Sequence, residues 1–129
     1  MHLNQITLPS TDVARGAAFY RKLGLHQIVE HLPKYARFEC PGGTTLSLHV
    51  SDRPPGPTGV IVYFECADLD DRVAALKQQG FDFDADPVDQ SWLWREAYLH
   101  DPDGNVICLY WAGENRLDPP WRLTEQPAD

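Results

Sequence analysis

DVARGAAFYRKLGL, residues 12–25, is matched in character by DLDDRVAALKQQGF, residues 68–81, with every position shifted by the same 56 residues. In each stretch the apolar residues recur at intervals of four and three, which is the spacing of the buried side of an amphipathic helix. The repetition predicts two similar helices, each ending at a glycine, Gly24 or Gly80, that can adopt a left-handed cap conformation. The apolar positions are Val13, Ala17 and Tyr20 in the first stretch and Leu69, Val73 and Leu76 in the second.

A second repeat follows each helix. PGGTTLSLHV begins at Pro41 and PDGNVICLYW at Pro102, and each reads as a tight turn followed by an alternating strand. The order strand, helix, strand, strand, strand therefore occurs twice, and two modules this small need a common core. We predict an α+β protein of two tandem βαβββ modules that share one mixed sheet and one cavity. The predicted single domain, residues 1–129, comprises module one at 1–55, module two at 59–112 and an extended tail at 113–129.

Alternating residues, with breaks at proline and glycine, predict eight strands. A linker at residues 51–59, with three prolines and two glycines, separates the modules. The predicted strands cover 3–8, 26–32, 35–40 and 44–50 in module one, and 60–66, 81–83, 92–100 and 106–111 in module two.

Composition excludes several classes of partner. The 129 residues are 43% hydrophobic, and no apolar run is long enough to cross a bilayer. A formal net charge of −8 without a basic stripe argues against nucleic acid and anionic membranes as partners. The first residues, MHLNQITLPS, lack the features of a signal peptide, so we predict a cytoplasmic location. Cys40, Cys66 and Cys108 are far apart and lie in apolar runs, which favours buried reduced thiols over a disulfide framework.

Two βαβββ copies, opened by ITLPSTDVARGAAFYRKLGL and closed by HDPDGNVICLY, resemble the vicinal oxygen chelate superfamily. That superfamily includes glyoxalase I, bleomycin-resistance proteins and extradiol dioxygenases. The resemblance covers about residues 1–112, and the DPDGN turn before an alternating strand is its most specific part. It implies that the sheets curl around a central cup-shaped cavity, usually with a divalent metal at its floor. It also implies a homodimer.

The family's metal positions are poorly matched in this chain. By the motif, the four ligand positions fall on Gln5, Ser47, Ile61 and Cys108, where metal-binding members carry chiefly His, Glu or Gln. A catalytic divalent ion needs about three protein ligands with oxygen, imidazole or thiolate donors, and isoleucine offers none. We therefore predict that the chain has no metal site and uses no cofactor. A set of Gln5, His49 and Cys108 stays open as an alternative, because His49 lies two residues beyond Ser47 on the same side of its strand.

Alternation of side chains along each strand predicts which residues line the cavity. These residues should contact a ligand bound in the cup, because successive inward positions lie two residues apart. The predicted lining residues are Gln5, Thr7, Ser47, His49, Ile61, Tyr63, Cys108 and Tyr110.

Which residues of the strand before the DPDGN turn point into the cavity depends on how the two strands of that hairpin align. If Ala97 lies opposite Cys108, then Arg95 points into the cavity. The same rule sends Phe38 inward in module one, and we favour this alignment. The alternative, shifted by one residue, would send inward Trp94, Glu96 and Tyr98.

The segment SWLWRE, residues 91–96, has the most unusual local composition in the chain. Trp92 and Trp94 could stack on a flat ligand while the Arg95 guanidinium binds a carboxylate or phosphate. Alternatively, the tryptophans pack on the adjacent helix and Arg95 pairs with a neighbouring acid. Trp121 follows two prolines and is either a lid over the cup or an arm on a second subunit.

The leading hypothesis is a protein that binds a small aromatic or anionic molecule in its cup without a metal, in the manner of bleomycin-resistance proteins. The alternative hypothesis is a metal-dependent lyase, isomerase or dioxygenase that uses an atypical ligand set. A third possibility is an oligomeric scaffold whose inward residues fill the cup themselves.

Overall fold

The chain, in a computed structural model that describes residues 1–125, has two α-helices and eight β-strands. It divides into two compact units. The first unit comprises residues 1–61 together with the turn at 100–106, and the second comprises residues 62–99 and the chain from residue 107 onward. The order βαβββ occurs twice, which confirms the predicted α+β fold of two similar modules.

Each module contributes one helix and four strands in the predicted order. The first module contains β1 Gln5–Ser10, α1 Val13–Leu23, β2 His26–His31, β3 Tyr35–Glu39 and β4 Thr45–Val50. The second contains β5 Ile61–Glu65, α2 Leu69–Gln78, β6 Val88–Asp89, β7 Arg95–His100 and β8 Val106–Trp111.

The first helix lies within the predicted stretch, residues 12–25, and ends at the predicted glycine. The Asp12 carboxylate accepts a hydrogen bond from the Arg15 N–H at 3.1 Å and so satisfies one of the free donors at the helix start. Gly24 ends the helix with a φ of 116°, a conformation that is unstrained only for glycine. The predicted apolar side is buried, with Ala17 and Tyr20 both fully inaccessible to solvent.

The second helix repeats the buried pattern of the first. Leu69, Val73 and Leu76 are all buried, as the i, i+4, i+7 spacing predicts. Its N-terminal end differs, because the Asp68 side chain forms no capping hydrogen bond.

The first sheet has the strand order β1-β4-β3-β2, with β1 and β4 parallel and the other pairs antiparallel. The side that faces α1 forms the core of this unit, where Leu46 and Leu48 are each 1% exposed. The ring of Phe38 on β3 lies 5.8 Å from that of Tyr20 on α1. Burial of these side chains against one helix fixes which side of the sheet stays open.

The second sheet has the strand order β5-β8-β7-β6. The predicted strand at residues 81–83 is wrong, because the edge strand is β6 and Phe83 forms only an isolated bridge with Leu99. Phe81 is buried directly after the helix, while Pro87 precedes the short strand that does form. The offset between the repeats rises from 56 residues at the helices to 61 at the glycines of the following turns, Gly43 and Gly104. The five additional residues of the second module lengthen the part of the chain between α2 and β8.

Three polar residues of the turn at 101–105 are buried in the first unit. The Asp101 carboxylate accepts hydrogen bonds from the backbone N–H groups of Asp103 and Asn105, both at 2.9 Å, and so shapes its own turn. Its second oxygen accepts from the Tyr20 hydroxyl at 2.7 Å. The Asp103 carboxylate in turn accepts from the Ser10 hydroxyl at 2.8 Å. The turn therefore packs against β1 and α1 through charge-assisted hydrogen bonds.

The chain after β8 is not extended at its start, contrary to prediction. Residues Gly113–Arg116 form a 3-10 helix, and the Glu65 carboxylate accepts hydrogen bonds from the Ala112 and Gly113 N–H groups, both at 3.1 Å. Trp121 is 56% exposed, and the tail positions 126–129 lie outside the described residues. Among residues 1–125, neither helix has the length and apolar character needed to cross a membrane.

Candidate functional site

Aromatic rings cluster on the side of the second sheet that α2 does not cover. Trp94 and Tyr110 are stacked, with ring centroids 4.6 Å apart and planes 19° apart. Tyr63 stands edge-on to both, at 5.7 Å and 5.5 Å, and is 42% exposed. We call this surface the aromatic face and define it by Tyr63, Trp94, Glu96, Tyr98, Cys108 and Tyr110.

A carboxylate is buried within the aromatic face. Glu96 is 3% exposed and accepts hydrogen bonds from Trp92 Nε1 and from the Tyr98 hydroxyl, both at 3.0 Å. Burial raises the pKa of the Tyr98 hydroxyl, and its hydrogen bond to Glu96 raises it further. Tyr98 therefore stays protonated and donates to Glu96. The arrangement holds negative charge beneath the rings.

Arg95 does not lie on the aromatic face, so the predicted alignment was wrong. Its Nε donates to the Asp70 carboxylate at 2.9 Å on α2, and its Nη1 donates to Asp89 at 3.1 Å on β6. These hydrogen bonds raise the pKa of Arg95 and lower that of Asp70. The guanidinium is thus neutralised on the helix side of the sheet. Its two neighbours along the strand, Trp94 and Glu96, lie on the side where Arg95 was expected.

A one-residue bulge explains the error. The Asp101 N–H donates to the Asn105 carbonyl at 3.0 Å, and the Gly104 N–H donates to the Asp101 carbonyl at 2.9 Å. Gly104, with a φ of 82°, is the extra residue, and it aligns Tyr98 rather than Ala97 with Cys108. A Gly at the last position of a turn such as PDG is the signal that could have predicted this bulge. The structure has the alternative alignment, in which Glu96 and Tyr98 share a side with Trp94, whereas the favoured alignment left Glu96 and Tyr98 out of the site.

The same bulge at Gly43 corrects the prediction for Phe38. The Gly43 N–H donates to the Cys40 carbonyl at 3.1 Å, and the paired strands align Phe38 with Leu46. Phe38 is fully buried on the helix side and cannot contact a ligand on the open side. Its place on the open side is taken by Arg37, which aligns with Ser47.

The open side of the first sheet carries mainly polar residues. The Thr7 and Ser47 hydroxyls form a hydrogen bond at 2.7 Å, as expected for residues that share one side of the parallel pair. The His49 ring lies 6.4 Å from that of Tyr35, and His49 Nδ1 contacts the Val50 carbonyl at 2.9 Å. We call this surface the polar face and define it by Thr7, Tyr35, Arg37, Ser47 and His49.

The residues at the family's metal positions do not fit a divalent ion. Ile61 has no donor atom, and the Ser47 hydroxyl is buried in its hydrogen bond with Thr7. The alternative pair also fails, because Gln5 aligns with Thr45 whereas His49 lies four positions further along the same strand pair. Four positions span about 13 Å, which is too far for two ligands of one ion.

Cys108 is the remaining metal candidate, and its thiol is held protonated. Burial, followed by the negative charge of Glu96, raises the pKa of Cys108 to about 12. A protonated thiol is a weak nucleophile, and Cys108 by itself supplies one ligand where a divalent ion needs about three. Within residues 1–125, no group of three or more His, Cys, Asp or Glu side chains could hold a metal ion.

We therefore expect Cys108 to be unreactive in the folded protein. At pH 8 a thiol with this pKa is ionised in about one molecule in 10⁴, so native Cys108 should not react with a thiol reagent on a timescale of minutes. Reagent titration with mass-spectrometric mapping, before and after unfolding in urea, measures this. Cys40, which is only partly buried, serves as the internal control. Rapid native modification of Cys108 would contradict the burial described above.

Comparisons with known proteins identify the fold. Residues 2–109 match the model of the glyoxalase/bleomycin resistance protein/dioxygenase superfamily. A solved member of that superfamily from Nocardioides is 23% identical, with a TM-score of 0.74 over 99% of this chain and 90% of that one. A bleomycin-binding protein in complex with bleomycin is 23% identical, with a TM-score of 0.69 over 86% of this chain and 98% of that one. Lactoylglutathione lyase from Agrobacterium tumefaciens is 18% identical, with a TM-score of 0.69 over 85% of this chain and 92% of that one. No curated protein matches the chain significantly.

Proposed function

The chain belongs to the glyoxalase/bleomycin resistance protein/dioxygenase superfamily, and we propose that it binds a small aromatic molecule on its aromatic face without a divalent metal. The observation that carries this proposal is the arrangement of Tyr63, Trp94 and Tyr110. A planar ligand can stack on or against the exposed edge of this cluster, where Tyr63 is 42% exposed.

The rings of the cluster are already ordered before any ligand arrives. Trp94 is fixed by its stack on Tyr110 and by a hydrogen bond from its Nε1 to the Asn115 carbonyl at 3.3 Å. A rigid aromatic surface loses little conformational entropy on binding, so most of the contact energy contributes to affinity. The bleomycin-binding protein of similar fold was solved with bleomycin bound, which supports small-molecule binding as a use of this fold.

The charge of the site favours a neutral or cationic ligand over an anionic one. Glu96 is the charged side chain buried in the aromatic face, and Arg95, the cation expected there, pairs with Asp70 and Asp89 on the other side of the sheet. A carboxylate in a partly desolvated setting repels an anion and attracts a cation more strongly than it would in water. This proposal replaces the broader expectation of an aromatic or anionic ligand for this face.

Two flat probes of opposite charge, N-methylquinolinium and 2-naphthoate, test the proposal. We expect saturable quenching of tryptophan fluorescence by N-methylquinolinium, with 2-naphthoate binding at least tenfold more weakly. Tyr63→Ala should weaken binding of the cation about 5–10-fold, since an aromatic contact contributes about 1 kcal/mol beyond burial. Tyr63→Phe keeps the ring and is the matched control, which should bind like the wild type.

The competing metal-dependent function predicts a different effect of EDTA on ligand binding. Binding of N-methylquinolinium should be the same with and without EDTA if the aromatic face alone carries affinity. A loss of binding on chelation would favour the metal-dependent alternative. Failure of both probes to quench saturably, or an unchanged affinity in Tyr63→Ala, would refute the proposal.

A further inference from the structure

The polar face contains an arginine without a charged partner. No described residue forms a hydrogen bond or ion pair with Arg37, and its Nε is buried without an acceptor. The chain carries 19 acidic residues, and other arginines do pair with them. Arg95, for example, pairs with two, Asp70 and Asp89. The isolation of Arg37 is therefore not a general feature of this protein. A buried charged donor without an acceptor is unfavourable, and a bound acceptor would remove that cost.

The neighbours of Arg37 are suited to an anion. On the adjacent strand Arg37 aligns with Ser47, which in turn aligns with Thr7, so the three side chains form a row across β3, β4 and β1. The Arg37 Cζ lies 5.7 Å from the centroid of the Tyr35 ring, a cation–π contact that helps to hold the guanidinium in place. Glu39, two residues along β3, is exposed and forms no ion pair with it.

The hydroxyl pair leaves one donor available. Two hydroxyl groups carry two hydrogens, and the single bond between Thr7 and Ser47 uses one of them. Ser47 is fully buried, whereas Thr7 is exposed. With Ser47 donating to Thr7, the Thr7 hydrogen points outward and can donate to a ligand beside the guanidinium.

We infer that Arg37 and Thr7, with Ser47 orienting the Thr7 hydroxyl, form a binding site for a small oxyanion, either a carboxylate or a phosphate. The planar guanidinium offers two parallel N–H donors that match two oxygens of such a group. The Arg37 side chain is half-buried, so part of it is accessible to a ligand from solvent. The site lies on the first sheet and takes a ligand group of opposite charge from that proposed for the aromatic face, so neither proposal depends on the other.

Nuclear magnetic resonance of the 15N-labelled full chain tests the site with inorganic phosphate and with acetate as probes. We expect the Arg37 Nε–H signal and the Thr7 and Ser47 amide signals to shift saturably with one or both anions. Sodium chloride at matched ionic strength should produce no saturable shift. A response to phosphate alone, to acetate alone or to both identifies which oxyanion the site accepts.

Two substitutions and a matched control separate the site from general charge effects. Arg37→Gln should abolish the saturable shifts of the Thr7 and Ser47 amides, and Arg37→Lys, which keeps the charge but loses the planar fork, should weaken binding at least tenfold. Arg95→Gln removes an arginine that is already paired and should leave binding unchanged. Saturable shifts that persist in Arg37→Gln, or the absence of saturable shifts with both anions in the wild type, would overturn the inference. Quenching by N-methylquinolinium reports separately on the aromatic face.

Discussion

Replacing Asp103 with alanine should lower the free energy of unfolding by about 3–4 kcal/mol. Asp103 is 5% exposed, and its carboxylate accepts from the Ser10 hydroxyl at 2.8 Å, the Thr11 N–H at 2.8 Å and the Thr11 hydroxyl at 2.6 Å. Alanine removes every one of these acceptors and leaves the hydroxyl of Ser10, which is 1% exposed, buried without a partner. Urea denaturation followed by circular dichroism measures the loss.

Two further variants establish that the loss comes from these hydrogen bonds. Asp103→Asn keeps the shape and one acceptor oxygen but turns a donor toward Ser10 and Thr11, so it should retain only part of the stability. Asp86→Ala removes an aspartate whose side chain is 84% exposed and which pairs with Lys77, and it should change stability little. A loss below 1 kcal/mol in Asp103→Ala would mean that the turn is not held to β1 as described.

The same carboxylate should make the protein sensitive to acid. Burial alone would raise the pKa of Asp103, but hydrogen bonds from Thr11 and Ser10 outweigh burial and hold it below the ordinary value. The unfolded chain therefore takes up a proton on this residue at a higher pH than the folded chain does. Its stabilisation is present above the ordinary aspartate pKa of about 3.9 and is lost as the pH falls through the lowered folded value. Asp103→Asn should flatten the fall in stability below about pH 4.

The repeat in the sequence was sufficient to predict both helices and the order of the strands. Helix periodicity depends on residues three and four apart, so Val13, Ala17 and Tyr20 indicate a buried side without knowledge of any distant contact. The caps at Asp12 and Gly24 are likewise local. The family followed from the same residues, because the turn DPDGN and its alternating strand depend on local sequence.

The faces of the strands were harder to predict, because alignment depends on the hairpin turn. A single extra residue at Gly43 or Gly104 moves every side chain of the preceding strand to the opposite side. For this reason Arg95 lies on the helix side of the second sheet, where it was not expected, and Arg37 lies on the polar face of the first sheet. The arginine that can bind an anion is therefore Arg37 and not Arg95. The rings of Tyr63 on β5 and Tyr110 on β8 lie 5.5 Å apart, and a residue added in the turn shifts the strand before it against β8 without changing which residues of β8 alternate.

Phe38→Ala should lower the free energy of unfolding by about 3–5 kcal/mol, which makes it the most destabilising single change considered. The ring is fully buried, lies 5.8 Å from that of Tyr20 and packs beside Leu46 on the helix side of the first sheet. Truncation removes a large apolar side chain and leaves a cavity that the rigid sheet and helix cannot close. Urea denaturation again provides the measurement.

Two substitutions on the same strand decide between the observed alignment and the one expected from alternation alone. Phe38→Leu keeps most of the volume and should cost about 1–1.5 kcal/mol. Tyr35→Ala removes a half-buried ring on the polar face and should cost less than half as much as Phe38→Ala. The alignment expected from alternation would place Phe38 in an open cavity, where truncation changes ligand binding and leaves stability nearly intact. A small stability loss in Phe38→Ala would therefore restore that alignment and remove Arg37 from the polar face, because the two residues are neighbours on one strand and cannot both point to the same side.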